Sequence, residues 1–136
     1  MLEKFFKKQH DNLYVAFRII IGLLFFVHGA QKLFGWFGAK GVVPFGSLFW
    51  FAGLIETVAG AFLVIGLFSR LVAFISAGEM AFAYFIGHIS RGVGIFPYQN
   101  GGEAALLFMA AFFVIIIHGS KKLSIERYLC KGKECF

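Results

Sequence analysis

Charged residues are scarce in this chain, and their scarcity argues against a water-soluble domain. Only 15% of the 136 residues are charged and 60% are hydrophobic, whereas charged residues make up about 25% of an ordinary soluble protein. A soluble domain of this size has too small an interior to bury so much apolar surface. The length also limits the chain to one domain. We therefore expect a single domain, residues 1–136, embedded in a lipid bilayer.

The sequence also lacks the short motifs that mark most metal and cofactor sites. Its two cysteines, Cys130 and Cys135, are not a Cys-x-x-Cys pair, and there is no His-x-x-x-His pair, phosphate loop or nucleophile elbow. We expect no metal site, and no covalently bound cofactor is evident. Both cysteines follow the last predicted span, which places them in the reducing cytosol, where a structural disulfide is disfavoured. Haem ligation between His28 and His88 stays open, since the two lie at similar predicted depths.

Four apolar segments predict an all-α integral membrane protein, namely a four-helix bundle. A membrane-spanning helix needs about 20 mostly apolar residues, and a sheet with open edges would leave backbone groups unpaired in lipid. The predicted spans are residues 13–34, 47–68, 71–89 and 103–118. Only Ser69 and Arg70 separate the second span from the third, so these two helices are expected to form a tight antiparallel hairpin.

The positions of the basic residues predict the side of the membrane on which each end lies. Two termini and the short middle loop with Arg70 hold most of them, whereas the other two loops hold only Lys40 and Arg91. The terminal basic residues are Lys4, Lys7, Lys8, Lys121, Lys122, Arg127, Lys131 and Lys133. Cytoplasmic loops are rich in Lys and Arg, so both termini are expected in the cytoplasm. We therefore interpret the net charge of +6 as a topology signal and not as evidence of a nucleic-acid site. We expect the tail from Ser124 onward to form a basic amphipathic turn or two on the inner membrane surface.

Several ionisable side chains lie inside the predicted spans, where each costs a few kcal/mol or more unless it finds a partner. Glu56 stands in the middle of a stripe of small residues, which let helices approach closely in membranes. The stripe consists of Ala52, Gly53, Ala59 and Gly60. Glu56 is therefore expected to face the bundle. His28 and Lys32 share one face of the first helix, and we expect Glu56 to look toward His28 across the bundle.

These residues predict a polar pocket that opens outward, formed by His28, Lys32, Glu56 and Glu79 with His88 at its rim. Glu79 and His88 are nine residues apart. They occupy nearly opposite faces of an ideal helix and need a kink to face one point. The alternative is that all of these residues pair only to fix the register of the helices.

Three other polar residues have structural explanations. Arg18 lies within two turns of the inner surface and is expected to snorkel toward it. Asn100 and Glu103 have a spacing close to that of a capping box at the start of the fourth helix. These interpretations require no chemistry from the three side chains.

A second stripe of small residues predicts self-association. Ala73, Ala77 and Ala81 lie on one face of the third helix, and small residues mark helix–helix contacts in membranes. With the stripe around Glu56, the chain has two close-packing surfaces, one of which is expected to serve a homodimer.

An ordered set of short segments runs along nearly the whole chain. It consists of His28-Gly29, the run Lys32 to Gly38, Ala52-Gly53 with Glu56 and Gly60, Gly66 to Arg70, Phe96-Pro97 with Asn100 to Glu103, and Gly119 with Ser124-Ile125-Glu126. This set resembles the DoxX family of small bacterial membrane proteins. The resemblance implies a four-helix bundle in the bacterial inner (cytoplasmic) membrane and an association with quinone-linked oxidation and membrane redox complexes. The motif positions carried over are His28, Lys32, Glu56, Arg70 and Glu103.

From the residues and the resemblance together we expect a quinone-associated redox subunit for sulfur-compound or thiol-linked oxidation. Glu56 and His28 are the expected catalytic residues, which exchange protons with a quinone or hydrogen-bond its carbonyl. The expected substrate-binding residues are Lys32, Glu79, His88 and Glu103, with Lys32 attracting a small anionic substrate such as a sulfur oxyanion. Related families that oxidise thiols with quinone carry a membrane-embedded Cys pair, which this chain lacks. The alternative is a non-enzymatic transporter, or a scaffold that docks partner redox proteins through the basic tail.

Overall fold

The computed structural model describes residues 2–39, 41–92 and 94–132, and within them the side chains from Gln9 onward. Every regular element in these ranges is helical. Lys40, Lys133 and Cys135 lie outside the described residues, so the predictions made for them stay predictions. The same is true of the side chains of Lys4, Lys7 and Lys8.

Three segments are long and apolar enough to cross a membrane: Gln9–Phe34, Leu48–Ile65 and Ser69–Arg91. The first belongs to helix α1, Leu2–Phe34, which begins well before the predicted span. The second is helix α2, Leu48–Ile65. A further apolar helix, Glu103–His118, has the predicted bounds but only 16 residues. The chain is thus an all-helical membrane protein.

The connection between α2 and helix α3, Ser69–Phe82, is a tight turn formed by Gly66, Leu67 and Phe68. The predicted position of this turn is wrong, because Ser69 and Arg70 belong to α3 and not to the loop. Gly66 ends α2 with a φ of 68°, a left-handed conformation that glycine adopts without strain. Phe68 precedes α3 with a φ of 48°. We call the end of the bundle that contains this turn the turn end, and the opposite end the cavity end.

The third predicted span is not one regular helix. α3 ends at Phe82 and continues as a π-helix over Ala83–His88 and a 3₁₀-helix over Ile89–Arg91. The wider π turn changes the face that each following residue occupies. Two further helices complete this end of the molecule: α4, Pro97–Asn100, and α5, Glu103–His118.

The capping box predicted at the start of α5 is wrong. Gly102 is the residue that precedes the helix, and it has no side chain with which to cap it. Asn100 instead ends α4, and its Oδ1 accepts a hydrogen bond of 2.8 Å from the Gly102 amide. The short helix α4 and a turn lie at the position where the sequence predicted the start of a single helix.

Small residues hold the helices together in pairs. α1 and α2 cross at glycines so closely that a Cβ added to Gly60 would lie 2.4 Å from the amide nitrogen of Phe26. On the other side of the bundle, α3 packs on α5 with Ala73 and Ala77 buried. Both stripes that suggested a homodimer are therefore used inside one chain, which removes the basis of that prediction.

Arg18 does not snorkel as expected, because it is completely buried at the turn end. Its guanidinium donates to the carbonyl oxygens of Ser120 and, at 2.8 Å, of Leu123. Carbonyl groups beyond the end of a helix have no partner within it, and the guanidinium carries five donors that can supply them. Arg18 thus ties the segment after α5 to α1.

The C-terminal tail is also bound to the bundle, and its expected place on the inner membrane surface stays a prediction. Its short helix α6, Ile125–Leu129, has the buried Glu126 in its first turn. The Glu126 carboxylate accepts hydrogen bonds from the Ser120 hydroxyl and from the Ser69 amide, the latter at 3.4 Å. Its own amide donates to the carbonyl of Gly66 at 3.2 Å. A single acid therefore joins α6 to the α2–α3 turn.

Cys130, at the end of α6, is disulfide-bonded. The expectation that no structural disulfide forms is therefore wrong for the described cysteine. That expectation rested on the predicted compartment, which carries no information on how close two sulfur atoms lie.

Candidate functional site

A cavity of about 590 Å³ opens at the cavity end, between α1, α2, α3, the π-helix and α5. Its volume falls within the range of about 300–1,000 Å³ that is usual for small-molecule sites. Five of the six predicted site residues line it: His28, Lys32, Glu56, Glu79 and His88. The sixth, Glu103, is exposed at the start of α5 and is not among the lining residues.

Glu56 and Lys32 form an ion pair in this cavity. The Lys32 Nζ lies 2.6 Å from the Glu56 Oε1, and the Glu56 side chain is only 3% exposed. The inward orientation of Glu56 is confirmed, and its position follows from the glycine contact between α1 and α2, since Gly53 packs on the Cβ of Lys32. The second carboxylate oxygen, Oε2, is buried without a hydrogen-bond partner among the described residues.

His28 contributes to the same cavity but is not the hydrogen-bonded partner of Glu56. Its ring contacts Phe108 edge-on, with the centroids 5.4 Å apart. Lys32, one helical turn further along α1, reaches the carboxylate instead, because its side chain is long and ends in a full positive charge. The structure therefore brings His28 and Glu56 to one chamber, with the ammonium group paired to the acid.

Glu79 has the most unusual surroundings of the site. Both of its carboxylate oxygens are buried and neither has a hydrogen-bond partner among the described residues. An unpaired carboxylate in an apolar environment is expensive. Such a group calls for a bound proton or for a ligand that brings a polar atom.

His88 faces the same cavity as Glu79 because the π-helix intervenes between them. On an ideal helix the two would point in nearly opposite directions. The π-helix over Ala83–His88 supplies the distortion that this arrangement requires. The His88 Nδ1 lies 3.0 Å from the carbonyl oxygen of Asn100. A carbonyl can only accept, so Nδ1 carries the proton and Nε2 is left for a second contact.

Sequence reasoning missed several residues that shape the cavity. Arg91, assigned to a loop, lines the wall from the 3₁₀-helix. Gly78 and Gly87 also line it, and a Cβ added to either would meet no other atom within 4 Å. Their lack of side chains keeps the space open. A glycine inside a helical pattern is the only sequence signal of this kind.

The remaining wall of the cavity is mostly apolar and aromatic. It includes Phe49, Phe51, Ile55, Ile75, Phe82 and Phe108. A few polar groups in an apolar chamber are typical of sites for small organic ligands. Within the described ranges, no three His, Cys, Asp or Glu side chains come together to hold a metal ion.

Comparison with known proteins assigns the family. Residues 13–89, more than half of the chain, match the model of the DoxX family. The chain belongs to the DoxX family. An uncharacterized protein of Haemophilus influenzae is 36% identical over 130 residues, which cover 91% of this chain and 96% of that protein.

A second relative of this DoxX protein has a name that refers to redox chemistry. The Bacillus subtilis protein called "Putative oxidoreductase CatD" is 28% identical over 123 residues, which cover 86% of this chain and 87% of the relative. No solved structure matches the chain significantly.

Proposed function

We propose that this DoxX protein is a quinone-binding subunit of a membrane redox system and that the cavity holds the quinone ring. The observation that carries the proposal is that one carboxylate oxygen of Glu56 and both of Glu79 have no partner among the described residues and lie in a largely apolar chamber. A quinone ring is apolar at its faces and carries two oxygens that need polar partners. The name of the Bacillus subtilis relative favours the same chemistry.

The cavity contains acidic residues that would supply the protons consumed in quinone reduction. Reduction to a quinol takes up two electrons and two protons, one on each ring oxygen. Glu79 would deliver one proton from its carboxyl group, and Glu56 would pass on the other from the paired Lys32 ammonium, as positioned acids do in general acid catalysis. The Lys32 ammonium would stabilise the negative charge that develops on the nearer oxygen.

The electrons would come from a sulfur-containing anion or a thiol, oxidised at the cavity mouth or on a partner protein. His88 and Arg91 line the cavity together with Lys32, which gives an anionic donor or a ring oxygen cationic and hydrogen-bonding groups to contact. His28, whose ring lies edge-on to Phe108, would donate a hydrogen bond to a carbonyl oxygen of the quinone. Glu103 has no ligand contact in this proposal.

The membrane arrangement that goes with this proposal has four spans and both termini in the cytoplasm of a bacterium. α5 packs along α3, and its 16 residues rise about 24 Å, so a slight thinning of the bilayer would let it span. The cavity then opens on the outer side, and the basic residues near α6 lie on the inner side.

The test is quinone reduction by the purified protein in lipid nanodiscs, with a chemical thiol as the electron donor. We expect Glu56→Gln to lower the rate of quinol formation by about a hundredfold, the usual loss of a general acid. Glu103→Gln is the matched control, since Glu103 is the same residue type outside the cavity. Equal rates for the wild type and Glu56→Gln would remove Glu56 from the mechanism.

A scaffold is the second candidate, and the attachment of α6 favours it. Glu126 fixes α6 to the bundle, yet Tyr128 remains 87% exposed next to Arg127. A fixed basic and aromatic patch of this kind would suit docking of an acidic partner protein. Co-purification of a partner that is lost on Tyr128→Ala, with quinone reduction absent from the isolated protein, would favour the scaffold. Solute uptake into liposomes without quinone would favour transport instead.

A further inference from the structure

A second, wholly apolar space lies in the seam between α2 and α3. This groove has a volume of about 410 Å³ and no polar lining. Its walls include Val58 and Phe62 of α2 and Leu71 and Ile75 of α3. α2 and α3 contact each other far less than α1 contacts α2 or α3 contacts α5. The α2–α3 seam is therefore packed less tightly than either of these two helix pairs.

The groove borders the cavity. Ile55 and Ile75 line both spaces. From there the groove follows α2 to Phe62 near the turn end, so that it extends about 12 Å along the helix between Leu54 and Phe62. An apolar groove thus runs along the seam from the wall of the cavity toward the turn end.

Residues that line the groove lie on the same helix faces as Glu56 and Glu79. Ile75 and Glu79 are four residues apart on α3, and Ala59 and Glu56 are three apart on α2, so each pair lies on one face. Ala59 is buried at the bottom of the groove, whereas Val58 at its rim is 47% exposed. A chain lying in the groove would place the group at its end between Glu56 and Glu79.

We infer that the α2–α3 seam holds the isoprenoid tail of a quinone whose ring occupies the cavity. The inference rests on the proposed function and narrows its substrate to quinones with long tails. An apolar tail matches the apolar groove, and a compact, uncharged head matches the small polar set of the cavity. A phospholipid does not fit both spaces, because its charged head belongs at the membrane surface.

The experiment compares two probes, the ubiquinone ring without a tail and the same ring with a tail of several isoprene units. Their dissociation constants are measured with the full chain in nanodiscs. Val58→Phe narrows the groove at its rim. We expect it to weaken binding of the tailed probe about tenfold, the equivalent of a modest overpacking penalty, and to leave the tail-free probe unchanged.

Two controls separate the groove from the cavity. Val114→Phe makes the same change at an exposed valine of α5 that lines neither space, and it is expected to alter neither constant. Gly78→Leu fills the cavity and is expected to weaken both probes. Leu71→Phe, on the facing rim of the groove, replaces Val58→Phe if that variant does not fold.

The possible failures are distinguishable. If neither probe binds the wild type, or if Gly78→Leu changes neither constant, the proposed function falls and the inference falls with it. If both probes bind but Val58→Phe affects them equally, the seam does not hold the tail and the proposed function stands. If excess saturated phospholipid displaces the tailed probe, the groove is a general lipid site and the inference is wrong.

Discussion

The two ends of the bundle both bury charged side chains, but they treat them in opposite ways. At the turn end, both terminal nitrogens of Arg18 donate to carbonyls and Glu126 accepts from an amide and a hydroxyl, which leaves the Arg18 Nε without a partner among the described residues. At the cavity end, Glu79 has no partner among the described residues, and Glu56 leaves one oxygen without one. A buried polar group that is fully paired stabilises a fold, whereas an unpaired one weakens it and is kept for another reason. The comparison favours a structural role for the charged residues at the turn end and agrees with the proposed ligand site at the cavity end.

The largest expected effect is on stability at the turn end. Arg18→Met keeps the size of the side chain but leaves the carbonyls of Ser120 and Leu123 without donors. We expect the free energy of unfolding to fall by about 3 kcal/mol, since each buried unsatisfied group costs about 1–3 kcal/mol. Thermal unfolding in detergent measures it. Arg127→Met, the same change at an exposed arginine, is the control and should have little effect on stability. Equal losses of stability in the two variants would show that the hydrogen bonds of Arg18 do not stabilise the turn end.

The next effect concerns the π-helix. Deletion of Phe85, which is 61% exposed, should convert the π-helix into a regular α-helix in which Glu79 and His88, then eight residues apart, still face the cavity. We expect the deletion to leave quinone affinity nearly unchanged, whereas His88→Ala should lower it about tenfold, because only the second variant removes the contact. Titration with the tailed ubiquinone probe measures both. A tenfold loss in the deletion variant would show that the π-helix does more than orient His88.

The smallest effect has the opposite sign. Glu79→Leu replaces an unpaired buried acid by an apolar side chain of similar size, and we expect stability to rise by about 1 kcal/mol. Quinone reduction should fall in the same variant. A drop in melting temperature would mean that Glu79 is paired in the empty protein, and the contrast between the two ends would disappear.

The residue pattern alone was enough to predict much of this molecule. The tight α2–α3 turn, the bounds of α5 and the inward orientation of Glu56 all follow from local signals, namely an apolar run or a stripe of small residues. Such signals repeat every one or two turns and are readable along one helix. Five predicted site residues share one cavity because they lie on helix faces that small residues turn inward.

What the sequence did not reveal depends on contacts between distant segments. The burial of Arg18 depends on carbonyls more than a hundred positions away, and the docking of α6 depends on the α2–α3 turn. The π-helix has no periodic signal, because it is a departure from the period that pattern analysis assumes. The partner of Glu56 was predicted as His28 when it is Lys32, since depth along a helix does not tell which side chain is long enough to reach.

The most direct test of the ligand cavity is organic extraction of the protein purified in mild detergent, followed by an absorbance spectrum of the extract and of the intact protein. The wild type is predicted to release a quinone with an isoprenoid tail. Gly78→Leu, which fills the cavity, is predicted to release little or none. Equal amounts of quinone from both proteins, or a haem or flavin spectrum in place of a quinone, would contradict the account.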